Sequence, residues 1–115
     1  MKYESVNTVI DRLNEFDGKY TYIVGILEFE FEMVCIDHWP KSEHKGGHST
    51  DSSIWLTIPL NFALEPDTLK KWSGKKVVAG GIIRSPAKNV GGCGHLAGWP
   101  CEIEATQLEL YKNVS

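Results

Sequence analysis

The side chains best equipped for chemistry in this chain are a thiol–imidazole pair, Cys93-Gly94-His95, and a further thiol at Cys101. Thiolate and imidazole are natural zinc ligands. His44, His48 or His38, on an earlier polar stretch, could complete a tetrahedral set. The spacing lacks a C-x-x-C pair, and Cys101 occupies an apolar slot in an alternating run, where a buried thiol serves as a small hydrophobe. The expectation is therefore no cofactor, with zinc at Cys93, His95, Cys101, His44 and His48 as the one metal reading. Cys35, between Met33-Val34 and Ile36, reads as core. Nucleophilic catalysis needs a nucleophile, a base and an orienting group. Cys93 and His95 supply two, but residues two apart in an extended segment point to opposite sides. No Asp or Glu stands close by in sequence to orient the ring. Gly91-Gly92-Cys93-Gly94-His95 also lacks the G-K-[ST] ending of a phosphate loop. The sequence reads as a non-enzyme.

Three other groups of residues suit binding. Glu28, Glu30 and Glu32 alternate with apolar residues, as do Glu102 and Glu104 later. Period-two glutamates face outward, either as a solvated face that discourages edge pairing or as an anionic surface for a basic protein. Trp39 and Trp99 flank two long loops and could line a groove. Trp55 falls opposite Ile54, Leu56 and Ile58, and reads as exposed; aromatics of this kind anchor protein interfaces or stack nucleic-acid bases. Lys70, Lys71, Lys75 and Lys76 form a basic patch that could meet phosphates, although a solvated helix face explains it better.

The elements that must position these groups follow from periodicity. Val6, Val9, Ile10, Leu13 and Phe16 fall on one helical face, which predicts a helix over 5–16 with Ser5 as its N-cap. From Lys19 the period becomes two. Tyr20, Tyr22, Val24 and Ile26 share one face and Leu27, Phe29, Phe31 and Met33 the other, so the pattern predicts a bend or bulge near Gly25. Residues 40–53 read as a polar loop, 54–58 as a strand and 66–72 as a short helix with Pro66 in its first turn. Strands follow over 76–84 and from Cys101, the last with a parity slip near Thr106; residues 85–100 form a second long, glycine-bearing loop.

Part of this pattern occurs twice. Leu13-Asn14-Glu15-Phe16-Asp17-Gly18-Lys19, leading into Tyr20–Ile26, is matched 56 positions on by Leu69-Lys70-Lys71-Trp72-Ser73-Gly74-Lys75, leading into Lys76–Ile82. Each copy is a helical turn ending on an aromatic, a Gly-Lys corner and a strand with an internal glycine. The corner glycines suit a positive-φ helix end. The strand glycines mark bends, bulges or close backbone approaches.

Leu69-x-x-Trp72-x-Gly74-Lys75-x-Val77-x-x-Gly80 resembles the entry to the fourth strand of OB-fold domains, and Gly94-His95-Leu96-Ala97-Gly98-Trp99 resembles their loop between strands four and five. The resemblance covers roughly residues 13–111. It implies a five-stranded Greek-key barrel, closed or partly open, whose first strand bends to serve both sheets and whose helix joins strands three and four.

At 115 residues and 42% apolar content the chain is expected to be one domain, 1–115, with a helix at 5–16 and a barrel over 19–111. The fold class expected is all-β with two short helices, OB-fold-like. Three cysteines are too few for a secreted disulfide scaffold. The polar N-terminal stretch and the lack of a long apolar run predict a cytoplasmic protein with no membrane partner. A net charge of −3 disfavours nucleic acid. The functional expectation is non-catalytic protein recognition of a basic partner, for example by a bacterial inhibitor or immunity-type protein. Glu28, Glu30, Glu32, Trp39, Trp55 and Trp99 would bind it. The alternatives are a single-stranded nucleic-acid-binding OB domain using Lys70, Lys71, Lys75 and Lys76, and a zinc or thiol site at Cys93 and His95.

Overall fold

The computed structural model describes residues 2–88 and 90–112. Its strands are β1 (Glu4–Ser5), β2 (Tyr20–Glu30), β3 (Met33–Asp37), β4 (Ser53–Thr57), β5 (Lys76–Arg84) and β6 (Glu102–Leu110). Its helices are α1 (Val6–Asp11), α2 (Leu13–Phe16) and α3 (Pro66–Trp72). The sheet order is β1-β2-β3-β4-β6-β5, and β2 also pairs with β5, so β2 to β6 close into a hydrogen-bonded ring. Within the ring β4 and β6 run parallel, and the other pairs are antiparallel. With α3 between the third and fourth ring strands, this is an OB-like arrangement, as the sequence pattern implied.

Three α-helices form among the described residues, where two were expected. Ser5 Oγ accepts the Thr8 N–H at 3.2 Å and starts α1 as predicted. The chain then leaves helical geometry at Arg12 (φ −120°, ψ 37°), dividing the 5–16 segment. Both pieces still serve one core. Val6 and Val9 are fully buried, and Leu13 and Phe16 pack against the same cluster.

The duplicated segment has a physical meaning in the ring. β2 and β5 pair antiparallel from Tyr20↔Ile82 to Ile26↔Lys76. Gly18 has φ +81° and Gly74 φ +86°, so both corners take the backbone that only glycine adopts without strain. The two repeats therefore face each other about a local twofold centred on Ile23 and Ala79.

Near Gly25, where a bend or bulge was expected, β2 changes partner. β2 pairs with β5 up to Ile26 and with β3 from Ile26 onward. Its inward residues are Thr21, Ile23, Gly25 and Leu27 without interruption. Tyr20, Tyr22, Val24 and Ile26 lie on the outer face, so no parity flip exists. That face looked like core in the sequence because its residues are large and apolar. Gly25 is a close approach: a Cβ there would collide with the Asp37 carbonyl and the Ile36 side chain. The slip at Thr106 is real. Gly80 pairs with Gln107 and Gly81 with Ala105, leaving Thr106 as the bulged residue.

Inside the ring, Ile23, Leu27, Ile36, Ile54, Leu56, Val77, Ala79, Ile83, Cys101, Ile103 and Ala105 form the main core. Leu69 of α3 and Val6 and Val9 of α1 close it.

Candidate binding surfaces

A second, smaller core lies outside the ring. Residues directly opposite in a sheet share a face, which places Glu28, Cys35, Trp55 and Glu102 in one row across β2, β3, β4 and β6. The loop between β5 and β6 folds down over this row. Cys93 and Trp99 bridge each other across the loop. With Cys35 they form a buried cluster against Met33 and Trp55. The Trp99 ring meets the Trp55 ring edge-on at 4.8 Å and donates its indole N–H to Ser53 Oγ at 3.0 Å. Gly94 lies flat on the Trp55 indole, where no side chain would fit. Trp99 is therefore 7% exposed and Trp55 half-buried. The expected exposure of Trp55 gives way to packing, because the loop itself covers the face it occupies; Trp99 is packed as well, yet it still walls a cavity of about 310 Å³ with Glu28, Asp37, His44 and Thr50. Trp39, at 48%, is exposed as expected.

The predicted acidic ladder is also reshaped. Phe31 and Glu32 form the two-residue turn between β2 and β3, so Glu32 belongs to a hairpin tip rather than a strand face. Its backbone takes φ 59°, and its carboxylate meets His95 Nε2 at 3.2 Å, fastening the tip to the β5–β6 loop. Phe31 is 90% exposed between Glu30 and Glu32, and Leu96, beside His95, is 88% exposed. Leu96 and Ala97 both have positive φ. This end of the molecule thus shows two bare apolar side chains among carboxylates. Glu28 is half-buried lower on the strand. Burial and then the nearby Asp37 charge push its carboxyl above the ordinary range.

The sequence-predicted metal residues do not gather. Cys101 is fully buried in the ring core and Cys93 in the outer cluster. His95 faces Glu32, while His44 sends its Nε2 to the His38 carbonyl at 2.6 Å. His48 is exposed in the loop between β3 and β4. Among the described residues, the one group of three potential ligand atoms within 4.8 Å of one another is Glu28, Cys35 and Asp37. Burial drives the Cys35 and Cys101 thiols up to about 12 and Cys93 to about 11. They are protonated near neutrality and poor nucleophiles. The loop between β3 and β4 is pinned by His38: its Nδ1 accepts the Asn7 N–H at 3.1 Å and its Nε2–H points at Glu43 Oε1 at 2.8 Å.

Lys70 and Lys71 project from α3 and Lys75 from the corner, while Lys76 lies on the outer sheet face, its Nζ 4.3 Å from the Tyr111 ring centre and 5.4 Å from that of Trp39. Lys76 belongs to a feature that periodicity had hidden. Tyr20, Tyr22, Tyr3 and Tyr111 form a chain of rings across the outside of β2 and β5, with successive centroids 5.3, 6.4 and 6.4 Å apart. Gly80 is its floor, since a Cβ there would stand 2.8 Å from Tyr22. The Tyr20-x-Tyr22 alternation is the signal that the sequence offers for it.

No family model matches this chain, and no curated protein does. A solved structure shares its fold. A DUF3299 family protein from Pseudomonas aeruginosa is 12% identical with a TM-score of 0.52, the match covering 88% of this chain and 66% of that one. Asparaginyl-tRNA synthetase from Pyrococcus horikoshii, complexed with asparaginyl-adenylate, is 18% identical with a TM-score of 0.47, covering 88% of this chain and 21% of the synthetase. This chain spans about a fifth of the synthetase's length. No helix among the described residues is long and apolar enough to cross a membrane.

Proposed function

We propose that this OB-like chain is a non-catalytic protein-recognition domain that captures a basic partner at the β2–β3 hairpin tip. The observation that carries this reading is Phe31, 90% exposed between Glu30 and Glu32. A protruding aromatic flanked by like charges supplies both an anchor and a field that attracts a cationic surface. Leu96, 88% exposed beside the Glu32–His95 pair, widens the same patch. Three protonated, buried thiols argue against cysteine nucleophiles. OB-folds that bind oligonucleotides use the outer face of strands two and three with the adjoining loops. Here that face, on β3 and β4, carries Asp37, has Glu28 beside it on β2, and lies beneath Cys93 and Trp99, which disfavours nucleic acid. A bacterial inhibitor that covers a basic toxin or nuclease is the concrete form of this reading.

The test is affinity capture from the native host by the wild-type chain and by a Glu30→Lys, Phe31→Ala, Glu32→Lys variant. A basic protein retained by the wild type and lost by the folded variant is the expected result. A partner that binds both equally, or a chain whose tryptophan emission is quenched by oligonucleotide at low salt, would overturn the reading.

A further inference from the structure

An open groove of about 620 Å³ runs beside α3, walled by Phe29, Val34, Trp55, Ile58, Phe62 and Leu69. Glu65 is the one charged residue among the described residues of its lining. Leu60 stands on the same rim with its side chain bare, at 108% exposure. The segment between β4 and α3 thus builds a hole and carries a knob beside it. A lone exposed leucine is ordinary, but one adjoining an apolar groove makes a continuous apolar patch, which marks an interaction site. The charges along α3 are divided by sign. Glu65 at its N-cap and Asp67 in its first turn stand at one end, and Lys70 and Lys71 in its last turn at the other. All four are exposed, and none joins an ion pair among the described residues. Two acids and two lysines leave this helix neutral, although the whole chain carries −3.

We propose that this surface binds a second copy of the chain, about a twofold axis perpendicular to α3. Such an axis sets the two α3 helices antiparallel. The acids of each helix then meet the lysines of the other, and Leu60 of each copy lies over the groove of the other. A twofold contact uses one patch twice, so the patch must contain its own complement. Here knob adjoins hole, and both signs of charge lie on one short helix. Other occupants match less of this. The basic protein assigned to the hairpin tip would meet Lys70 and Lys71. A nucleic acid would meet Glu65, Asp67 and an apolar floor. A small apolar molecule would fill the hole and leave Leu60 bare. The order of charges also suits the dipole of α3 itself, and the pairing of copies uses that order a second time. One groove and a two-turn helix make an interface at the small end, below about 1,200 Å². Association is therefore weak and rises with concentration.

Sedimentation equilibrium of the full chain, from about 10 μM to about 1 mM, tests the assignment. The weight-average mass should climb from 12.9 kDa towards twice that value. Leu60→Asp should weaken self-association at least about tenfold; the residue is fully exposed, so the variant should fold, and a thermal melt confirms it. An exchange of charges is the stricter test. Lys70→Glu with Lys71→Glu makes α3 wholly acidic, and Glu65→Lys with Asp67→Lys makes it wholly basic. Each double variant should stay monomeric alone, and an equal mixture of the two should form the mixed dimer at least as readily as the wild type forms its own. A wild type that holds 12.9 kDa throughout, a Leu60→Asp chain that associates unchanged, or two charge variants that ignore each other would overturn the proposal. So would a native mass spectrum showing the monomer with an apolar small molecule attached and no dimer.

Discussion

Gly18 donates its N–H to the carbonyl of Ile83 at 2.7 Å, and Gly74 donates to Leu27 at the same distance. Each pair is the other displaced by 56 positions. The two Gly-Lys corners thus clasp opposite ends of the β2–β5 ladder. Lys19 and Lys75 complete the clasp by accepting the N–H groups of Ile83 and Leu27 at 3.1 and 3.0 Å. The repeat is a closing device for the ring, which ties the sequence duplication directly to topology.

The glycines of this device should fail in two different ways. At Gly18 and Gly74 nothing lies within 4 Å of a built Cβ, so only the positive φ resists substitution. Gly18→Ala and Gly74→Ala are each expected to cost about 1–2 kcal/mol. Gly81 has ordinary φ but no room, because its Cβ would run into the backbone of Glu104 and Ala105 at the bulge. Gly81→Ala should cost more than about 3 kcal/mol or prevent folding. Urea midpoints at constant m-value measure all three. A mild Gly81→Ala would mean that the Thr106 bulge relaxes freely.

This contrast marks what the sequence could convey. The corners, the Ser5 cap and the Thr106 slip are local signals, and all appear in the fold. The faces of β2 are not local. Tyr22, Val24 and Ile26 are as apolar as Ile23 and Leu27, and only the ring pairing decides which row points inward. The same limit hid the binding surfaces. Trp55 and Trp99 look free until the β5–β6 loop is seen to close over them, and Tyr3 and Tyr111, far apart in the chain, meet only after folding.

The thiols offer a pH-dependent prediction. Burial holds Cys35 and Cys101 protonated up to about 12 and Cys93 up to about 11, against 9.0 for an open thiol. The native chain should resist a thiol reagent at pH ~8, and react at all three cysteines once urea unfolds it. Because the folded state keeps these protons longer than the unfolded chain, their contribution is complete below pH 9.0 and is lost as pH rises towards about 12. The loss approaches ~1.4 kcal/mol per pH unit for each thiol within that window. Cys101→Ala should flatten the alkaline decline of the denaturation midpoint. An unchanged slope would place the alkaline sensitivity in other groups.

Glu28 carries the opposite chemical group but the same sign. Its carboxyl is raised above 4.5, first by burial and then by Asp37 across the β2–β3 pair. The protonated form suits the fold, so its contribution is present below the unfolded value and disappears as pH climbs through the folded one. Near neutrality the fold therefore holds a half-buried carboxylate beside another, and an amide should serve better. Glu28→Gln is expected to raise stability by about 0.5 kcal/mol at neutral pH, a size suited to a partly screened charge pair. The gain should vanish towards pH ~4, where the wild-type carboxyl is already protonated. Denaturation midpoints across that range decide the matter. A loss at neutral pH would show that a cation holds the charged form, and would turn the Glu28–Cys35–Asp37 cluster from a strained acid pair into a ligand set.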